Sequence, residues 1–210
     1  MNRQVCIVKT MAATKVEKTV RDRLLEAADE LFYAEGVHTV GIDRVIEKAG
    51  VAKASLYGTF GSKDELVRAY LSARADARRA RIEERIARHD HPRDKILSVF
   101  ELLAERAREP SFRGCAFINA TAEGPLDACK TRPLALESRA WVRDLFTTLA
   151  GELGVADAAQ AGRRLQVLYD GAMTAASMER DHEVIADARA MAEALLDACT
   201  PAKKPARRPA

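Results

Sequence analysis

IDRVIEKAGVAKASLYGTFGSKDEL, running from Ile42 to Leu66, contains two short helical patterns separated by a glycine. Ile42, Val45, Ile46 and Ala49 recur at intervals of three and four, which places them on one face of a helix. Gly50 follows at once, where a chain leaving a helix often turns into the left-handed region that glycine enters without steric cost. A second helix starting near Ala52 would bury Leu56 and Phe60, one turn apart, leaving Lys53, Ala54, Ser55 and Tyr57 largely off that face. Two short helices joined by such a turn make a helix-turn-helix, whose second helix enters a DNA major groove.

Working outward, the spacing Val16, Val20, Leu24, Ala27, Ala28, Leu31, Phe32 predicts a first helix ending near Gly36, which supports the pair as a three-helix unit. Beyond the pair, Ser62 to Glu65 has the Ser-x-x-Glu form of a capping box and opens a fourth helix. That helix carries Leu66, Val67, Tyr70 and Leu71, crosses an arginine-rich stretch to Ile82 and Ile86, and stops near Asp90. It physically joins two modules and is a candidate lever between them.

His91-Pro92 restarts the chain, proline being favoured in a first turn. Ile96, Val99, Phe100 and Leu103 mark a fifth helix, and Cys115 to Glu123 a short apolar sixth, ended by Gly124-Pro125. A seventh helix is expected from Leu134 to Gly151, an eighth capped by Asp157, and a ninth from Ile185 to Cys199. The reading is therefore an all-α chain of about nine helices. Residues 1–15 form a tail, with Met11 a candidate true start. Residues 16–65 form the helix-turn-helix domain, 66–199 a second helical domain, and 200–210 a basic tail without a core pattern.

The resemblance carried by Gly50-Val51, Ser55-Leu56-Tyr57 and Phe60-Gly61-Ser62-Lys63-Asp64-Glu65-Leu66 is to the DNA-binding signature of the TetR family of bacterial transcriptional regulators. The signature covers roughly residues 20–71, and the remainder is similar in length and helical layout. Gly-Cys-Ala-Phe-Ile-Asn, residues 114–119, resembles a variant in an AcrR-like branch. The resemblance implies a homodimeric regulator, typically a repressor. It implies release from an inverted-repeat DNA operator by a small-molecule effector, with helices eight and nine of each subunit packed across a two-fold axis. It places base-edge contacts at Lys53, Ala54 and Ser55 and phosphate contacts at Tyr57, Thr59 and Lys63.

The residue chemistry agrees. Lys53 can donate to guanine and Ala54 can touch a thymine methyl, whereas a hydroxyl or ammonium on a phosphate fixes register without reading sequence. Bland alternatives stand beside these roles: a core ring for Tyr57, a solvated charge for Lys63. Arg44 either reaches the DNA backbone or sits in an exposed ion pair. Gly41 and Ala52 depart from the resemblance where a hydroxyl residue often caps the helix, as does Gly58 where a larger side chain is common.

In the second domain, Phe100, Phe117, Asn119, Trp141, Phe146, Tyr169 and Met173 are pocket candidates, being large or polar on otherwise apolar helices, with core packing as the alternative for the aromatics. Asn119 is read as a buried amide that needs partners. Gly171, Ala172, Ala175 and Ala176 admit a close neighbour, from either a second subunit or the same one. Cys115 and Cys129 flank the short helix as candidate redox thiols near Arg113 or as small hydrophobes.

The bulk numbers narrow the classes. The 210 residues are 48% hydrophobic and 31% charged, a globular rather than a disordered balance. The net charge of +3 becomes −1 without Lys203, Lys204, Arg207 and Arg208, so any DNA-binding surface must be a local arrangement. Four cysteines, Cys6, Cys115, Cys129 and Cys199, form no Cys-x-x-Cys pair and no zinc spacing with histidine. No apolar run approaches the ~20 residues of a membrane span. The expectation is a cytoplasmic protein without metal or cofactor. Scattered histidines, with no His-Glu-x-x-His, nucleophile elbow or phosphate loop, give no catalytic reading.

Overall fold

Helix α1, Val20–Glu35, begins where Thr19 and Asp22 close a reciprocal capping box, the Thr19 hydroxyl accepting from the Asp22 N–H and the Asp22 carboxylate accepting from the Thr19 N–H. The computed structural model describes residues 18–123 and 131–199, and these contain nine α-helices and no strand. Val16, both tails, Met11, Cys6, Gly124, Pro125 and Cys129 lie outside the described residues. Helix α1 thus starts at the cap, four residues after the start expected from its apolar spacing.

Helices α2, Ile42–Ala49, and α3, Lys53–Phe60, follow as read from the sequence, with Gly50 at φ 62° between them. Leu24, Ala28, Val45 and Leu56 close a core between these three helices and the start of α4, Lys63–Ile86. Ser62 caps α4 by accepting from the Glu65 N–H at 3.2 Å. Only that half of the expected box appears, because the Glu65 carboxylate turns to Arg68, 3.5 Å away on the next turn.

The remaining helices are α5, Pro92–Ala107; α6, Ala116–Ala122; α7, Arg132–Glu152; α8, Ala158–Glu179; and α9, Glu183–Cys199. Helices α7 and α9 each begin two residues before the expected position. His91 and Asp157 cap α5 and α8 through their side chains. The apolar stripes of α5, α7, α8 and α9 meet over Phe100, Phe146, Leu165, Ile185 and Leu196, all fully covered. Helix α4 belongs to both groups: Leu66, Val67 and Tyr70 pack toward α1, and Ile82 toward α5.

Two close approaches fix this arrangement. At Gly162 a Cβ would lie 2.1 Å from the Thr147 hydroxyl and 2.9 Å from its backbone nitrogen, so α7 and α8 cross at a contact that only glycine admits. The second is a clasp between α1 and the α5–α6 connection. The Tyr33 hydroxyl donates to the Gly114 carbonyl at 3.0 Å and accepts from the Arg113 N–H at 2.9 Å, while Arg113 Nη2 donates to the Ala34 carbonyl at 2.8 Å. Glu123 continues it by accepting from the His38 N–H at 2.9 Å.

Candidate nucleic-acid interface and interior cavity

The α2–α3 turn is held from behind. Gly50 donates to the Glu47 carbonyl and Val51 to that of Ile46, closing the end of α2, and Arg23 on α1 reaches the Gly50 carbonyl at 3.3 Å. Leu56, with no exposed surface, anchors α3. Its opposite face, Lys53, Ala54, Tyr57 and Thr59, is open, with Tyr57 46% exposed and Ser55 half-covered at the edge. Neither α2 nor α3 has a side-chain cap, as expected from Gly41 and Ala52. The first turn of α3 is thus left without a side-chain acceptor for its N–H groups.

Charge on this face is conditional. Lys53 pairs with Asp43 at 3.0 Å, and that hydrogen bond raises the lysine above its ordinary range. Arg44 is in the ion-paired arrangement, held by both oxygens of Glu35 at 2.6 and 2.9 Å. Lys48 is likewise turned back to Glu30 on α1. Thr59 spends its single hydroxyl proton on the Ser55 carbonyl at 2.7 Å, so it must let go of that bond before donating to a phosphate. Lys63 is partly covered at the start of α4, and that burial pushes its ammonium below the usual lysine range despite nearby Asp64 and Glu123. Gly58 leaves open space beside Tyr57.

The cavity candidates from the sequence divide three ways. Phe117, Tyr169 and Met173 line a cavity of about 90 Å³ between α4, α5, α6 and α8. Phe100 and Phe146 do not line it. They are fully buried and stacked at 6.0 Å, and both meet the edge of Tyr169, so they hold the ring that does. Burial pushes the Tyr169 hydroxyl up to about 12. Trp141 lies in a separate cleft beneath the Arg79 guanidinium. Asn119 is exposed rather than buried, because the two-turn α6 shields only its inner side. Its amide donates to the Arg113 carbonyl at 2.8 Å, a local bond to backbone.

Sequence reading missed the polar wall of the cavity. Arg74, Arg78 and Arg81, spaced by four and three, place three guanidinium groups on it from α4, and Arg106 adds a fourth from α5. The spacing was visible within the arginine-rich stretch, but nothing marked it as inward. Tyr33 of α1 completes the wall. Arg74 stacks over its ring at 3.5 Å while pairing with both oxygens of Asp29 at 2.6 and 3.0 Å. One residue therefore lines the cavity and ties α1 to Gly114.

Of the small-residue stripe on α8, Ala172 and Ala176 are buried within the subunit, whereas Gly171 is exposed with nothing near it. An uncovered face of α8 carries Val167, Gly171, Thr174 and Met178, with Val167 66% and Met178 80% exposed. Beside it, α9 exposes Ala190, Met191, Ala194 and Ala198. Among the described residues, no helix is long and apolar enough to cross a membrane.

Known proteins place this geometry. A sequence model described as "Bacterial regulatory proteins, tetR family" matches residues 24–70. A TetR-family transcriptional regulator from Streptomyces coelicolor, SCO4454, superposes with a TM-score of 0.81 at 37% identity, over 86% of this chain and 96% of that one. A putative TetR transcriptional regulator from Streptomyces avermitilis gives 0.76 at 32% identity, over 87% and 98%. Among curated relatives, the transcriptional regulator SrpR of Pseudomonas putida is 39% identical over 62 residues, 30% of this chain and 29% of its own. The transcriptional activator FasR of Mycolicibacterium smegmatis is 45% identical over 56 residues, 27% of this chain and 26% of its own. The chain thus spans under a third of the length of each of these two curated relatives.

Proposed function

This chain belongs to the TetR family of bacterial DNA-binding transcriptional regulators, and we propose that it is a cytoplasmic homodimeric repressor released from a palindromic operator by a small-molecule effector. In this reading residues 16–65 read DNA, residues 66–199 take the effector and pair the subunits, and the basic tail at 200–210 adds nonspecific attraction. Lys53, Ala54 and Ser55 meet base edges. Tyr57, Thr59 and Lys63 take phosphates, and Arg44 joins them where a phosphate displaces Glu35.

The observation that carries the reading is the wall shared by cavity and reading unit. Tyr33 faces the cavity, stacks on Arg74 and is bonded to Gly114, so a ligand there acts on the helix that braces the Gly50 turn. A ligand shifts DNA affinity only if it binds the two states of that contact differently. The apolar face of α8 and α9 supports pairing across a two-fold axis, since patches of that kind mark association sites on soluble proteins.

Footprinting on the DNA flanking the gene tests the core of this. One protected inverted repeat is expected. Uniform protection along every duplex would sink it in favour of a coating protein. Transcription from that promoter then fixes the sign, which the name of FasR leaves open to activation: added protein should lower transcript output.

A further inference from the structure

The four arginines of the cavity are unequally compensated. Arg74 is held by Asp29 and Arg106 by Glu109 at 2.8 Å. Arg78 has no carboxylate partner among the described residues. Its Nη2 donates to the Ser138 carbonyl at 2.9 Å and to the Ser138 hydroxyl, and its guanidinium lies over the Phe117 ring. Its Nε is buried with no acceptor, the one such side-chain atom among the described residues. A buried donor left without an acceptor is costly, more so when charged. Arg81 also lacks a carboxylate partner there. Although its side chain is exposed at the rim, partial burial and the adjacent Arg106 and Arg74 guanidinium groups outweigh the opposing Glu109 charge and depress it below the usual arginine range.

One guanidinium with an unsatisfied buried donor, Arg78, and a second at the exposed rim without an ion pair among the described residues, Arg81, therefore face a small aromatic-walled space. At about 90 Å³ the cavity suits a compact group. Carboxylate and phosphoryl oxygens match the forked donors of arginine, and such charge-assisted bonds strengthen in a partly dry site. We propose that this cavity is an anion site, seating a carboxylate or phosphoryl group of a small molecule against Arg78 and Arg81. The assignment rests on the effector reading for its role, but not for its chemistry. Arg74 adjoins the site while gripping Asp29 and Tyr33, so an arriving anion competes with Asp29 for a guanidinium that also contacts α1.

Calorimetry on the full-length protein at fixed ionic strength tests it, with inorganic phosphate, butyrate and the uncharged butyramide as titrants. One saturable site per chain is expected for phosphate or butyrate and none for butyramide. Phosphate alone assigns a phosphoryl ligand, and butyrate alone a carboxylate. Arg81→Gln should weaken binding about ten-fold or more without changing Tm, as loss of a charge-assisted bond implies. Arg78→Gln should do the same, and if it fails to fold, Arg81→Gln decides. Arg88→Gln, just beyond the end of α4, should change nothing.

Absence of saturable binding by either anion, equal binding of butyramide, or wild-type affinity in Arg81→Gln overturns the site. The two readings separate on operator DNA. An anion that binds but leaves DNA affinity unchanged removes the effector role and keeps the site. A neutral compound that releases DNA, with no anion binding, does the reverse.

Discussion

Lys53 and Lys63 look alike in the sequence and stand in different situations. Lys53 projects from the first turn of α3 and is occupied by Asp43, a partner that water or DNA can displace because both groups are exposed. Lys63 is half-covered at the root of α4 and poorly solvated. Lys53→Ala is expected to relax sequence preference, seen as a smaller affinity ratio between operator and scrambled duplex. Lys63→Ala should weaken all duplexes alike and flatten the salt dependence by about 0.9 log unit per log salt if it neutralises one phosphate. Fluorescence anisotropy across a salt series measures both, and an unchanged salt slope would remove Lys63 from the interface. Tyr57→Phe deletes only an exposed hydroxyl. It should lower DNA affinity and leave Tm where it was, whereas a drop in Tm would reveal a packing role instead.

At the scale of helices, most of the fold was legible because the signals are local. The stripe of α2, the turn at Gly50, the hydroxyl of Ser62 and the carboxylate of Asp157 each mark an element from within a few residues. The start of α1 was misplaced because Val16 continues an apolar period that the Thr19 cap overrides. The cavity was half legible. Phe117, Tyr169 and Met173 stood out as large groups, but so did Phe100 and Phe146, and composition cannot separate a lining ring from one that braces it. The arginines were hidden for a different reason. An arginine on a long charged helix is ordinary until its neighbours are known, and those neighbours, Ser138 and Phe117, lie on other helices. Gly162 was hidden likewise, since its tight partner Thr147 is on α7. Gly162→Ala forces backbone apart at that crossing and should cost about 1–3 kcal/mol. For a chain of this size that lowers Tm by roughly 3–10 °C in a thermal melt.

For the molecule as a whole, the uncovered face of α8 and α9 and the position of α4 bear on how two subunits act together. Met178→Glu places a charge on the most exposed large apolar side chain of that face. The expected result is a shift from dimer to monomer in analytical ultracentrifugation, with specific DNA binding lost and helical content kept. A variant still dimeric at micromolar concentration would move the pairing surface elsewhere.

Helix α4 is a single rod of 24 residues, about 36 Å from the root of the reading head to the level of Arg85. Tilting it by about 5° displaces one end by roughly 3 Å, close to the rise of a single base pair. In the homodimer proposed above, the rods would behave like the legs of a pair of calipers, whose jaws gauge a distance before any letter is compared. Adding or removing one base pair at the centre of the operator should then abolish tight binding as surely as corrupting both half-sites.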